Sequence, residues 1–237
     1  MARPANDRRS RSAGIRPHGR ATVLIVPHLF TPLHESCALD DYQRRLTAVH
    51  DAVARAAAAH QAGVDTVDHW GCVVKRRPVD LSELAIDDAL GGMIGVTSQP
   101  FGEIVNQLAT VERLLDALRW SQGNGAQEVV ECNPSTSRGQ AGTCSHDLVV
   151  AASETTIVFE VSDVAGDSGN ANRKMEKDLA TLDRCTCGMR SSARRLLAVS
   201  PQSGHWLEAR PQLATVVTAD RVGNGTWIVE LRSTASG

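Results

Sequence analysis

The stretch HDLVVAASETTIVFEVSD, residues 146–163, carries two apolar runs, each with a carboxylate at one end, Asp147 and Glu160. Leu148, Val149 and Val150 form one run and Thr155 to Phe159 the other, both rich in the branched and aromatic residues that suit strands. A turn centred on Ser153 and Glu154 makes position 160 the direct partner of position 147. Cross-strand partners hold their Cβ atoms about 4.5–5.5 Å apart on one face of a sheet, so the two carboxylates would face each other. Like charges that close cannot both ionise cheaply. A shared proton removes the penalty, and so does a hard divalent cation with oxygen ligands, of which Mg²⁺ is the commonest. Two features weigh against the pairing. Ser-Glu is not a favoured two-residue hairpin turn, and a slip of one residue would send one acid to the other face. The plain alternative is that the acids merely cap strands at the surface.

Positioning such a pair requires a sheet and helices around it. After the first twenty residues, ATVLIVPHLF reads as a short extended segment ended by Pro27 and Pro32. DDYQRRLTAVHDAVARAAAAHQAG then has acids at its start, Leu46, Val49 and Val53 at helical spacing, and Gly63 as a stop. DLSELAIDDAL reads as a helix capped by Asp80, and Gly91, Gly92 and Gly95 break the chain beyond it. FGEIVNQLATVERLLDALRW places Ile104, Leu108, Val111, Leu115 and Leu118 on one helical face and closes at Gly123 to Gly125. QEVVECNP is strand-like. The hairpin comes next, then a helix with Ser168 or Asn170 as cap and Met175, Leu179 and Leu182 as its apolar stripe. RRLLAVS is a further strand ended by Pro201. ATVVTADRVGNGTWIVELR closes the chain as strand, turn at Gly223 to Gly225, and strand. The parts are therefore an arm over 1–20, a mainly helical part over 21–99, and an α/β core with C-terminal strands over 100–237.

From residue 100 to 200 the order is helix, strand, strand, strand, helix, strand, with acids on the second and third strands. This order and these acids resemble the PD-(D/E)XK nuclease superfamily, the restriction-endonuclease-like fold, over roughly Phe101 to Ser200. The first signature stands here as Ser145-His146-Asp147, without the family's proline. The second stands as Glu160-Val161-Ser162, with serine where the family has lysine. The resemblance implies a mixed central sheet flanked by helices and a divalent-metal-dependent endonuclease hydrolysing phosphodiester bonds of DNA, of restriction or defence type. It implies Asp147 and Glu160 as ligands of Mg²⁺ or Mn²⁺, with Glu112 or Glu103 of the preceding helix as the acid that some members add. A homodimer follows from the need to cut both strands, and a two-fold protein favours palindromic targets.

The missing lysine is the main departure. Ser162 can donate a hydrogen bond but carries no charge. On the helix around 172–182, Lys174 borders the buried stripe while Arg173 and Lys177 point farther toward solvent, and a long side chain at that border can reach over the sheet edge. Lys174 is therefore the candidate for the displaced cation, and a surface pair with Asp178 is the competing reading. Two further classes stay open: a catalytically inactive DNA-recognition or interaction module of the same fold, and a nuclease acting on RNA or repair intermediates.

The rest of the chain bounds these readings. With 237 residues and 42% hydrophobic content it has the composition of an ordinary globular protein. No apolar run approaches the roughly 18 residues needed to cross a bilayer, and no signal-peptide core is evident, so a cytoplasmic protein without membrane partners is expected. A net charge of −2 argues against whole-surface binding to nucleic acid but leaves room for a local basic groove. The first twenty residues carry six arginines and one acid, a pattern of either a phosphate-contacting arm or a solubilising tail. Six cysteines read as thiols or ligands rather than disulfides. Cys144, His146, Cys185 and Cys187 are of the types zinc prefers, although their spacing is not that of the usual knuckles. After Pro201, His205, Trp206, Arg210 and Arg221 are candidates for base contacts.

Overall fold

The computed structural model describes residues 36–64, 78–80, 98–132, 146–153, 155–162, 169–184, 193–212, 216–223 and 225–232. The arm and extended segment expected within 1–35, residues 81–97 of the expected helix and the glycines beyond it, and Cys144, Cys185 and Cys187 lie outside the described residues. In chain order the elements are β1 (Cys37–Ala38), α1 (Leu39–Val64), β2 (Pro78–Asp80), β3 (Ser98–Pro100), α2 (Phe101–Gly123), β4 (Ala126–Cys132), β5 (Leu148–Ala152) and β6 (Thr156–Ser162). There follow α3 (Gly169–Arg184), β7 (Arg194–Val199), α4 (Pro201–Glu208), β8 (Val216–Val222) and β9 (Thr226–Leu231). The two long N-terminal helices appear where apolar residues recur at helical spacing, and α1 opens with Asp40 and Asp41 in its first turn, where the helix dipole favours negative charge.

Seven strands form one mixed sheet in the order β1-β4-β5-β6-β7-β9-β8, and β2 pairs with β3 apart from it. All neighbours in the large sheet are antiparallel except β6 and β7, which run parallel. A parallel pair needs a crossover, and α3 supplies it. Helices α1 and α2 cover one face, where Leu46, Val49, Leu114 and Leu118 pack with Leu148, Val150, Ile157 and Phe159 in one buried cluster. Helices α3 and α4 cover the other, where Met175, Leu179, Leu182 and Leu207 pack with Val149, Val158, Leu197 and Trp227. The first cluster runs without a break from α1 into the sheet, so α1 is packed on the α/β core.

Helix α4 follows Pro201, where the sequence reading assigned no element. Ser200 caps it, its side chain accepting from the Ser203 N–H, with Pro201 at the first helical position. Both are ordinary start signals, but an eight-residue helix has too little apolar period to stand out.

The β8–β9 turn is tied to α2 by a buried acid. Thr226 Oγ1 donates to Asp116 Oδ2 at 2.6 Å, and Arg113 donates to Thr226 Oγ1 at 3.0 Å. Gly223 sits at φ +55°, and a Cβ there would collide with the Asp116 carboxylate. Gly223→Ala is therefore expected to cost about 1–3 kcal/mol, measured by urea unfolding; an unchanged midpoint would show that the turn relaxes freely.

Candidate functional site

The hairpin fixes the placement of the acids. Leu148 pairs with Phe159, Val149 with Val158, Val150 with Ile157 and Ala151 with Thr156. Ala152 and Thr155 exchange two backbone hydrogen bonds, of 2.9 and 3.2 Å, so two residues link the strands. One step outward along this register, Asp147 stands opposite Glu160. Strand alternation then decides the face. Val158 packs against α3 while Ile157 and Phe159 pack toward α1 and α2, so Glu160 and Ser162 project on the α3 side.

Helix α3 lays Met175, Leu179 and Leu182 onto that face. Lys174, at the edge of this stripe, stretches back over β6. Its Nζ donates to Ser162 Oγ at 3.1 Å, to the Val161 carbonyl at 3.3 Å and to Asp178 Oδ2 at 3.2 Å. An ammonium thus stands beside the serine that occupies the third place of the Glu160-Val161-Ser162 triplet. The two readings of Lys174 are not exclusive, since the same Nζ meets both Ser162 and Asp178. Asp178 is itself buried and so forms part of the cluster, not a surface partner.

The electrostatics follow from crowding acids in a poorly hydrated place. Asp147, part of whose surface remains open, has a carboxyl held well above the ordinary range, first by burial and then by Glu160, against the Val161 N–H and Lys174. Glu160 is pushed up to about 8, first by burial and then by Asp178, with Lys174 acting against. Burial likewise raises Asp178, and Lys174 opposes it. The cluster therefore holds protons near neutrality, as expected of facing acids with no cation between them.

A pH dependence of stability follows. Glu160 has an ordinary value of 4.5 when unfolded and about 8 when folded, so between these values the folded chain binds more protons and stability falls as pH rises. The contribution is complete at the acid end of this window and gone once pH exceeds about 8. The melting temperature should drop between about pH 5 and pH 8, and Glu160→Gln should flatten that slope. A wild-type melting temperature that rises across this window would contradict the buried, proton-holding pair.

Two members of the site were not evident as such in the sequence. His146 is buried, and its Nδ1 lies 2.8 Å from Glu160 Oε1; burial lowers its pKa, against Glu131 and Asp147. The sequence offered it as a zinc ligand, whereas the structure turns it toward Glu160. Asp178 is the other, and its position four residues after Lys174 was the available signal. Glu112 is not brought to the acids: its Oε1 lies 3.5 Å from His50 Nε2 of α1, on the layer that covers the opposite face. The side chain of Glu103 lies outside the described residues, as does that of Arg173.

Among the described residues no three His, Cys, Asp or Glu groups converge as an all-protein metal cage. Asp147 and Glu160 fit a hard cation in a sparser way, since Mg²⁺ is usually held by one or two carboxylates and completed by water and substrate phosphate. Elsewhere on the α3 side, Arg210 stacks over Trp206 at 4.3 Å and Arg221 over Trp227 at 4.8 Å, with the His205 ring also against Trp227. Among the described residues no helix is long and apolar enough to cross a membrane. Compared with family models, curated proteins and solved structures, the chain matches none.

Proposed function

We propose that this chain is a divalent-cation-dependent phosphodiesterase acting on DNA, an endonuclease of the restriction-endonuclease-like type. The observation that carries the reading is the reach of Lys174 to Ser162 Oγ, 3.1 Å, beside the facing acids Asp147 and Glu160. The frame supports it: a helix, three antiparallel strands, a crossover helix and a fourth strand parallel to the third. Phosphodiester hydrolysis asks for acids that hold a cation and for fixed positive charge near the phosphate as negative charge builds up. Asp147 and Glu160 supply the first and Lys174 the second. Bound there, Mg²⁺ or Mn²⁺ would polarise a phosphoryl oxygen and lower the pKa of an attacking water. Glu160 and Ser162 lie toward the carboxyl end of β6, beside the parallel strand β7, the end at which ligands usually sit in α/β sheets.

The test is cleavage of supercoiled plasmid by the full chain with Mg²⁺ or Mn²⁺ and with EDTA. Discrete fragments support a sequence-specific dimer, and a smear or preference for RNA moves the substrate class. No cleavage of duplex, single strand or RNA with either cation would replace this reading by the binding module of the same fold.

The arginines of the first twenty residues give a separate expectation. If they contact phosphates they release counterions, and each such contact adds to the steepness of the salt dependence. Removing residues 2–20 should weaken DNA binding chiefly at low salt and flatten that slope, read by fluorescence anisotropy. An unchanged slope makes the arm a spectator.

A further inference from the structure

We propose that His146 is a positioning residue for the cation site, fixing the Glu160 carboxylate through Nδ1 so that the other oxygen is presented to the ion; the role rests on the reading of Asp147 and Glu160 as ligands. The ring is 3% exposed and its Nδ1 lies 2.8 Å from Glu160 Oε1. Its Nε2 is buried with no hydrogen-bond partner among the described residues. A buried imidazole serving only to fill space would be replaced favourably by an apolar ring, because desolvating polar nitrogens costs free energy. Here the contact with Glu160 is the one that orients the ring.

Asp147 is held in a parallel way. The Val161 N–H donates to Asp147 Oδ2 at 2.7 Å, so each acid has one oxygen held by a contact of its own, Glu160 Oε1 by His146 Nδ1. An ion bridging the acids would then be met by their other oxygens, Glu160 Oε2 and Asp147 Oδ1. Glutamate has three side-chain torsions, and a ligand that must be frozen from many rotamers binds less tightly than one already fixed. Outer-shell partners of this kind commonly contribute 10- to 100-fold to metal affinity, by order of magnitude. The position matters too. His146 immediately precedes Asp147, so a single extended segment at the mouth of β5 sets both acids.

The experiment is a Mn²⁺ titration of the full chain, with free Mn²⁺ read by electron paramagnetic resonance and folding checked by circular dichroism. His146→Phe keeps the ring and removes the donor, and should weaken Mn²⁺ binding about 10- to 100-fold. His146→Asn places an amide nitrogen where Nδ1 stands and should bind within a few-fold of wild type. His146→Gln, whose amide reaches the place of Nε2, should resemble the phenylalanine variant. If Phe fails to fold, Gln against Asn carries the comparison. Equal affinity in Asn and in Gln or Phe overturns the proposal, whether that affinity is wild-type or weakened. Strong nitrogen coupling to the bound Mn²⁺ in a pulsed measurement overturns it as well, since His146 would then be a ligand itself. Wild-type binding that Asp147→Asn abolishes but the His146 variants leave intact sinks only the role of His146. A folded wild type that binds no Mn²⁺ sinks the cation site along with it.

Discussion

Replacing either Asp147 or Glu160 with alanine is expected to abolish cation-dependent cleavage, to below one part in a thousand of wild type by order of magnitude, in a chain that stays folded. Each change removes one of two facing acids, and a cation held by a single carboxylate is left mainly to water and phosphate. Stability should move the other way at alkaline pH. With one acid gone the survivor loses the carboxylate it faced and keeps only Asp178 as a like charge beside it, so the electrostatic cost of ionising the cluster falls. The alanine side chain also leaves some space, which costs free energy when packing cannot close over it. Glu160→Gln and Asp147→Asn keep the volume and isolate the charge, so they should melt higher than wild type above about pH 8, the value to which Glu160 is raised. Full cleavage by the alanine variants would remove these acids from the site.

The hairpin was legible because its signal is local. Strand alternation and a two-residue link set the register, and the observed pairs from Leu148–Phe159 to Ala151–Thr156 follow from it. Lys174 was legible for a similar reason, since the period of Met175 and Leu179 fixes which neighbours border the buried stripe. The failures lay wherever a second element decides. Asp178 looked like a surface partner because its burial comes from β6 and not from its own helix. The contact of His146 with Glu160 was not legible because nothing near it in sequence announces a partner fourteen residues away. Glu112 shares a helix with the core stripe, but its rotation about α2 turns it to His50, and a helical wheel alone does not tell which neighbour occupies each side. Helix α4 was passed over because strand-ending Pro201 is equally the first residue of a helix.

The largest effect outside the two acids belongs to Lys174. Lys174→Met keeps the length of the side chain and its contact with the sheet edge, yet removes the ammonium that reaches Ser162 Oγ at 3.1 Å and Asp178 Oδ2 at 3.2 Å. Charge on the phosphate grows toward the transition state, so cleavage should fall by about 10²–10³-fold, the usual scale for one electrostatic donor. DNA binding in Ca²⁺ should change little, because the ammonium is needed most where negative charge builds up in the transition state. Lys177 is exposed on the next turn of α3, with no contact to Ser162 among the described residues, and Lys177→Met should be nearly silent. Structural damage would lower both activity and melting temperature, so a second change distinguishes it. Ser162 lies on the same face as Glu160, and Ser162→Lys in the Lys174→Met background places an ammonium on the strand itself, two residues after Glu160. Part of the lost activity should return. Normal cleavage by Lys174→Met would show that the reach of this lysine serves packing with Asp178 alone, and failure of Ser162→Lys to rescue a folded double variant would show that the charge must come from the helix.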